Sequence, residues 1–150
     1  MSAKPFVLRS LRVVTPEGQA PAAIHVNDGK ITRVTGWGEV PGEGVAVVDV
    51  GGLAVIPGLV DTHVHINEPG RTEWEGFESA TLAAAAGGVT TLLDMPLNSI
   101  PPTTTLPGLE AKQNASAGKL FVDVGLCAGA VPGNASELRA IFDAGALAFK

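Results

Sequence analysis

Between Leu59 and Ile66 the chain alternates with a period of two: Leu59, Asp61, His63 and His65 share one parity, Val60, Thr62, Val64 and Ile66 the other. An extended segment sends these sets to opposite faces. One set is apolar or β-branched throughout and the other ends in polar groups. That pattern predicts an inner barrel strand, its outer face under helices and its inner face opening into a site. The following residues change to a helical period. Thr72-Glu73-Trp74-Glu75 has the form of a capping box, which predicts a helix from about Glu73. Its buried face would carry Trp74, Phe77, Thr81, Ala84 and Ala85, and Gly87-Gly88 would stop it.

The rhythm then repeats. Val89 to Met95 is β-branched and apolar and predicts a second strand, ending in a loop, residues 96–103, too rich in proline for regular structure. A helix over about Leu106 to Ala117, a strand over Leu120 to Cys127 and a helix over Ala135 to Asp143, capped by Ser136 or Asn134, follow. Residues 146–150 predict a fourth strand, with Ala146, Ala148 and Lys150 on one face and Leu147 and Phe149 on the other. Strand, loop, helix and strand in succession signal parallel βα units. A complete barrel takes roughly 250 residues, so residues 57–150 are expected to form the first half of one, in the N-terminal part of a longer chain.

Residues 1–56 read differently. Phe6-Val7-Leu8-Arg9 and Leu11-Arg12-Val13-Val14 lead into a turn at Pro16-Glu17-Gly18. Ala23 to Val26 and Lys30 to Val34 flank Asn27-Asp28-Gly29, a strong hairpin signal. A small β region is expected there, with His25 an ordinary strand residue. Gly36-Trp37-Gly38 followed by Gly42 has the wrong spacing for a dinucleotide loop, and no helix follows it.

Composition narrows the function classes. A net charge of −5 and the absence of any Lys/Arg cluster leave no surface for nucleic acid. The longest apolar stretch, Leu53 to Val60, is broken by Pro57 and Gly58, so neither signal peptide nor membrane span is expected, and a cytoplasmic location is. The single Cys127 permits no internal disulfide and reads as a packing residue. The Asn-Ala-Ser sequons at Asn114 and Asn134 are then chance matches.

The candidate chemistry lies at strand ends. Two imidazoles two residues apart on a strand, His63 and His65, can grip one cation without a flexible loop. Lys150 would reach the same barrel mouth at the C-terminal end of its strand, the catalytic face of such folds. An ammonium there would be repelled by a metal ion, and burial also favours the neutral amine. A neutral amine can add carbon dioxide to give a carbamate, whose two oxygens can bridge two metal ions. On the local sequence alone, an ordinary lysine, solvated or paired with a carboxylate, is the simpler reading. No Gly-x-Ser-x-Gly suggests a serine route.

The ordered set Pro57-Gly58-Leu59-Val60-Asp61-Thr62-His63-Val64-His65, then Gly87-Gly88-Val89-Thr90-Thr91, then Gly145-Ala146-Leu147-Ala148-Phe149-Lys150 resembles the cyclic amidohydrolases: the dihydroorotases, hydantoinases and allantoinases. The resemblance spans the whole chain. It implies an α/β fold: the N-terminal part of a TIM-like (β/α)8 barrel, preceded in residues 1–56 by strands of a small β-sandwich domain that later sequence completes. It implies that His63 and His65 bind the more buried of two divalent metal ions, usually Zn2+, and that Lys150 is the carbamylated lysine bridging them. Asp61 would orient the histidines. The general base would be an aspartate beyond Lys150, with two further histidine ligands.

Within the family, the residue two after the second histidine separates members. Dihydroorotases typically carry arginine there to bind a substrate carboxylate; here it is Asn67, which suits an uncharged ring. The runs from Asn67 to Phe77, and Asp94-Met95-Pro96-Leu97-Asn98-Ser99 with Pro101-Pro102-Thr103, resemble the allantoinase branch. The implied activity is hydrolytic ring opening of allantoin to allantoate in purine breakdown, with Asn67, Asn98 and Arg71 as substrate-binding residues. Asn67 and Asn98 can equally be read as loop-shaping residues that cap local turns. The alternatives are a hydantoinase (dihydropyrimidinase), a dihydroorotase, or a non-catalytic paralogue serving as an assembly module. The expected partners are a small cyclic ureide and, by resemblance, further copies of the chain in a homotetramer.

Overall fold

Asp28 and Gly29 adopt φ of 49° and 73°, the pair of positive values that a two-residue hairpin loop of matching twist requires. They join β2 (Gly18–Asn27) to β3 (Lys30–Gly36). This structure, a computed structural model, describes residues 4–39 and 41–150. These fall into two compact units, Met1–Pro57 and Gly58–Lys150.

In the first unit, the two apolar runs expected before Pro16 form one strand, β1 (Phe6–Thr15). It bulges between Ser10 and Val13, where the Ser10 hydroxyl donates to the Leu53 carbonyl at 2.5 Å and accepts from the Arg12 N–H at 2.9 Å. β1 pairs antiparallel with β2, and parallel with β4 (Ala46–Asp49) and β5 (Ala54–Val55), so the sheet order is β3-β2-β1-β4 with β5 beyond β4 along β1. Val13, Ala22 and Ile24 form its small core. His25 is buried in β2, its Nε2 3.0 Å from the Thr35 hydroxyl.

The second unit is built of βα steps. A parallel sheet runs β6-β7-β8-β9, in chain order: β6 (Leu59–Val64), β7 (Val89–Asp94), β8 (Asp123–Ala128) and β9 (Ala148–Phe149). Helices α1 (Phe77–Ala86), α2 (Leu106–Ser116) and α3 (Leu138–Asp143) connect successive strands. Ile66, Phe77, Leu92, Leu109, Leu126, Ile141 and Ala146 form the core between sheet and helices. The result is mixed α/β, with a curled parallel sheet forming half of a TIM-like barrel. Gly58 is required at its base, since a Cβ there would stand 2.0 Å from the Thr90 hydroxyl oxygen.

Several expectations need correction. The α1 helix begins at Phe77, not about Glu73, and Trp74 lies outside it, exposed beneath the Arg71 guanidinium. Its cap comes from elsewhere: the buried Glu68 carboxylate accepts from the Phe77 N–H at 3.0 Å, and the Ser79 hydroxyl from the Gly76 N–H at 3.3 Å. Leu120 to Val122 precede β8, because the Phe121 N–H is taken by the Thr81 hydroxyl at 3.2 Å and not by a neighbouring strand. The α3 helix starts at Leu138 without a side-chain cap. Asn134 instead spans the loops, accepting from the Val131 N–H and donating to the Thr104 and Gly129 carbonyls.

Strict alternation also fails twice. In β6 the register against β7 slips on both sides of the Val60–Asp61 pair, between Leu59 and Val60 and between Asp61 and Val64, and Asp61 stands opposite Leu92 of the core. Val60 is 60% exposed, since β6 has a sheet neighbour on one side only among the described residues and α1 packs on β7. At the other edge only Ala148 and Phe149 are strand. Ala146 is buried in the sheet–helix core, while Leu147 lies over Gly125, where a Cβ would be 2.4 Å from Leu147 Cδ1.

Candidate metal centre

Because the sheet is parallel, the C-terminal ends of β6 to β9 lie along one edge. His63 is in the last turn of pleat of β6, His65 follows the strand, and Lys150 follows β9. The Lys150 backbone is fixed in both directions, its N–H donating to the Ala128 carbonyl and its carbonyl accepting from the Ala130 N–H, each at 2.8 Å. Its side chain crosses the mouth of the half barrel, so that Lys150 Nζ lies 3.3 Å from His63 Nε2. The rings of His63 and His65 are 5.4 Å apart between centroids and tilted by 47°. Residues 87 positions apart thus converge with the two imidazoles at one exposed strand edge.

The other residues singled out from the sequence take distinct places. Asn98, in the loop after β7, has φ of 79° and brings its side-chain amide to 3.5 Å from His65 Nδ1. That left-handed conformation is one asparagine tolerates better than most residues. Asn67 is 7% exposed, and its Oδ1 has no hydrogen-bond partner among the described residues. Its N–H donates to the Glu75 carbonyl and its carbonyl accepts from the Arg71 N–H. Arg71 itself stacks over Trp74 at 4.7 Å. Asp61 Oδ1 accepts from the main-chain N–H of His63 at 3.0 Å, a contact to backbone and not to an imidazole. The two loops meet, with the Ile100 N–H donating to the Pro69 carbonyl at 2.8 Å.

Beneath the edge lies an ion pair that the sequence reading missed. Asp94, at the end of β7, and Lys112 of α2 are 0% and 1% exposed and stand 2.5 Å apart. Burial pushes the Asp94 carboxyl up from its ordinary value, against the pull of the Lys112 ammonium. A signal for Lys112 exists: it falls three residues after Leu109, on the buried face of an otherwise polar helix. Cys127 is buried, and burial pushes its thiol up, as suits a packing residue.

The donor set suits part of a metal site. Among the described residues no group of three or more His, Cys, Asp or Glu converges; two imidazoles with an amine beside them do. Imidazole nitrogen is a ligand for borderline metals such as zinc, and an amine converted to carbamate would add oxygen donors of the kind such ions accept.

The chain is 56% identical over 151 residues to an allantoinase of Streptomyces avermitilis, covering all of this chain and 34% of that one. It is 46% identical to a mitochondrial allantoinase of Aquarana catesbeiana, covering 96% of this chain and 30% of the relative. Its structure resembles the L-hydantoinase (dihydropyrimidinase) from Arthrobacter aurescens with a TM-score of 0.85 at 37% identity, covering 99% of this chain and 32% of that one. The chain spans about a third of the length of these relatives. A model described as the amidohydrolase family matches residues 54–146, the strands and helices that carry His63 and His65 and lead to Lys150, and the chain belongs to that family.

Proposed function

We propose that the protein containing these residues opens the ring of allantoin by hydrolysis to allantoate. The observation that carries this is the convergence of His63, His65 and Lys150 on one strand edge, with Lys150 Nζ 3.3 Å from His63 Nε2. Similarity to allantoinases, among them the Streptomyces avermitilis protein at 56% identity, supports the choice of substrate. The amidohydrolase family is generally metal-dependent.

His63 and His65 would hold a divalent ion, zinc by resemblance, through ring nitrogens. Lys150 would join two such ions as a carbamate: its neutral amine nitrogen forms a bond to the carbon of CO2 and loses one proton to solvent. When bound, the ions would supply Lewis acidity at a ring carbonyl and lower the pKa of water to about 7. The side-chain amide of Asn98, held beside His65, can bond a ureide edge as donor and acceptor. Asn67 and Arg71 belong to the adjoining loop, and an uncharged Asn67 suits a ring without a carboxylate. Asp61 steadies the His63 backbone. The aspartate acting as general base would come from sequence after Lys150. By resemblance the assembly is a cytoplasmic homotetramer.

The structural likeness to an L-hydantoinase favours a second reading, a hydantoin or dihydropyrimidine as substrate. A hydrolysis assay of the full-length protein, loaded with zinc in bicarbonate, separates the readings on allantoin, dihydroorotate and a monosubstituted hydantoin. Preference for allantoin is expected. Activity on another ring alone keeps the metal centre and discards the substrate, and zinc binding without turnover on any ring favours a non-catalytic assembly module.

A further inference from the structure

The backbone that carries His65 is held from below. Asp94 Oδ1 accepts from the Ile66 N–H at 2.7 Å, and Lys112 Nζ donates to the Ile66 carbonyl at 3.0 Å. Both main-chain polar groups of the residue after His65 are thus clamped by one ion pair. The same ammonium lies 3.4 Å from the Met95 carbonyl and 3.5 Å from the Ser99 hydroxyl. It therefore ties the end of β7 and the loop bearing Asn98 to the peptide that follows His65.

Stability is a weak explanation for this pair. Removing two charges from water is costly, and a buried ion pair is often replaceable by apolar residues of similar volume without loss. Ile66, which both groups bond through its backbone, belongs to an apolar core with Leu92 and Leu109. What an apolar couple could not supply is direction, since the two charges together fix Ile66 and reach the Met95 carbonyl and Ser99. We propose that Asp94 and Lys112 are positioning residues for the metal centre, setting the place of His65 through Ile66 and that of Asn98 through Ser99. The inference rests on the reading of His63 and His65 as metal ligands.

The test is the double substitution Asp94→Leu with Lys112→Met in the full-length protein, read by thermal unfolding and by zinc affinity in competition with a chromophoric chelator. The expected result is a cooperative transition near the parent's, with zinc affinity reduced about 10–100-fold. A folded double variant that binds zinc as tightly as the parent overturns the inference and leaves the metal reading intact. A parent that takes up no zinc overturns both. Should the double variant not fold, amide exchange of the zinc-free parent decides. Slow exchange at Ile66 relative to the exposed residues of the 96–103 loop supports a preset clamp, and exchange as fast as theirs refutes it.

Discussion

At the scale of single residues, Lys150 carries the sharpest expectation. Its backbone is pinned by the last residue of β8 and by Ala130 of the loop after it, so truncating the side chain should leave the fold intact. Lys150→Ala in the full-length protein should lower kcat about a thousandfold or more, the scale of several kcal/mol of lost charge stabilisation. Bound zinc should fall in parallel, and short carboxylic acids added to the assay should restore part of the rate. Unchanged activity would sink the bridging role. The placement of His63, His65 and Lys150 is legible in the sequence because each lies at or just past the end of a short, largely apolar run. The pairing of Lys112 with Asp94 is not, because Asp94 lies eighteen positions earlier on a different kind of element. Nothing in the spacing alone announces that the two meet.

At the scale of elements, the start of α1 shows how a strong local signal can lose. Thr72-Glu73-Trp74-Glu75 satisfies the capping rule, yet the helix waits until Phe77. A carboxylate from outside the segment, Glu68, occupies the orphan Phe77 N–H and is paired with Lys119. The cap is therefore tertiary, and a local pattern cannot anticipate it. The two accounts give opposite mutational expectations. Glu68→Ala should cost about 1–3 kcal/mol, the loss of a charged cap and its hydrogen bond. Thr72→Ala, at an exposed turn position, should cost about 0.5 kcal/mol or less. Urea unfolding of the two variants beside the parent measures both, and a larger loss for Thr72→Ala would restore the capping box. The displaced start of α3 has a related cause, since Asn134 spends its side chain on three loop backbone groups and is not left to cap a helix.

At the scale of the molecule, the alternation of strand and helix after Pro57 is legible because each βα step is encoded within some thirty residues. The pairing of β4 and β5 with β1 is not, because Phe6 finds Ala46 across forty positions and the partner run is only four residues long. The same geometry limits what residues 1–150 can do alone. They bring two imidazoles and one amine to the strand edge, with no group of three His, Cys, Asp or Glu among the described residues. Among the described residues the end strands of the parallel sheet, β6 and β9, have a sheet neighbour on one side only, and Val60 and Leu147 beside those edges are 60% and 69% exposed. Open edges with apolar side chains promote pairing between chains. Residues 1–150 produced alone should associate as concentration rises, bind zinc more weakly than the full-length protein, and give no turnover of allantoin above background. Light scattering and chelator competition check the first two. Measurable turnover by the isolated residues would mean that the strand edge described here suffices for catalysis, and that the base and remaining ligands sought beyond Lys150 are not needed.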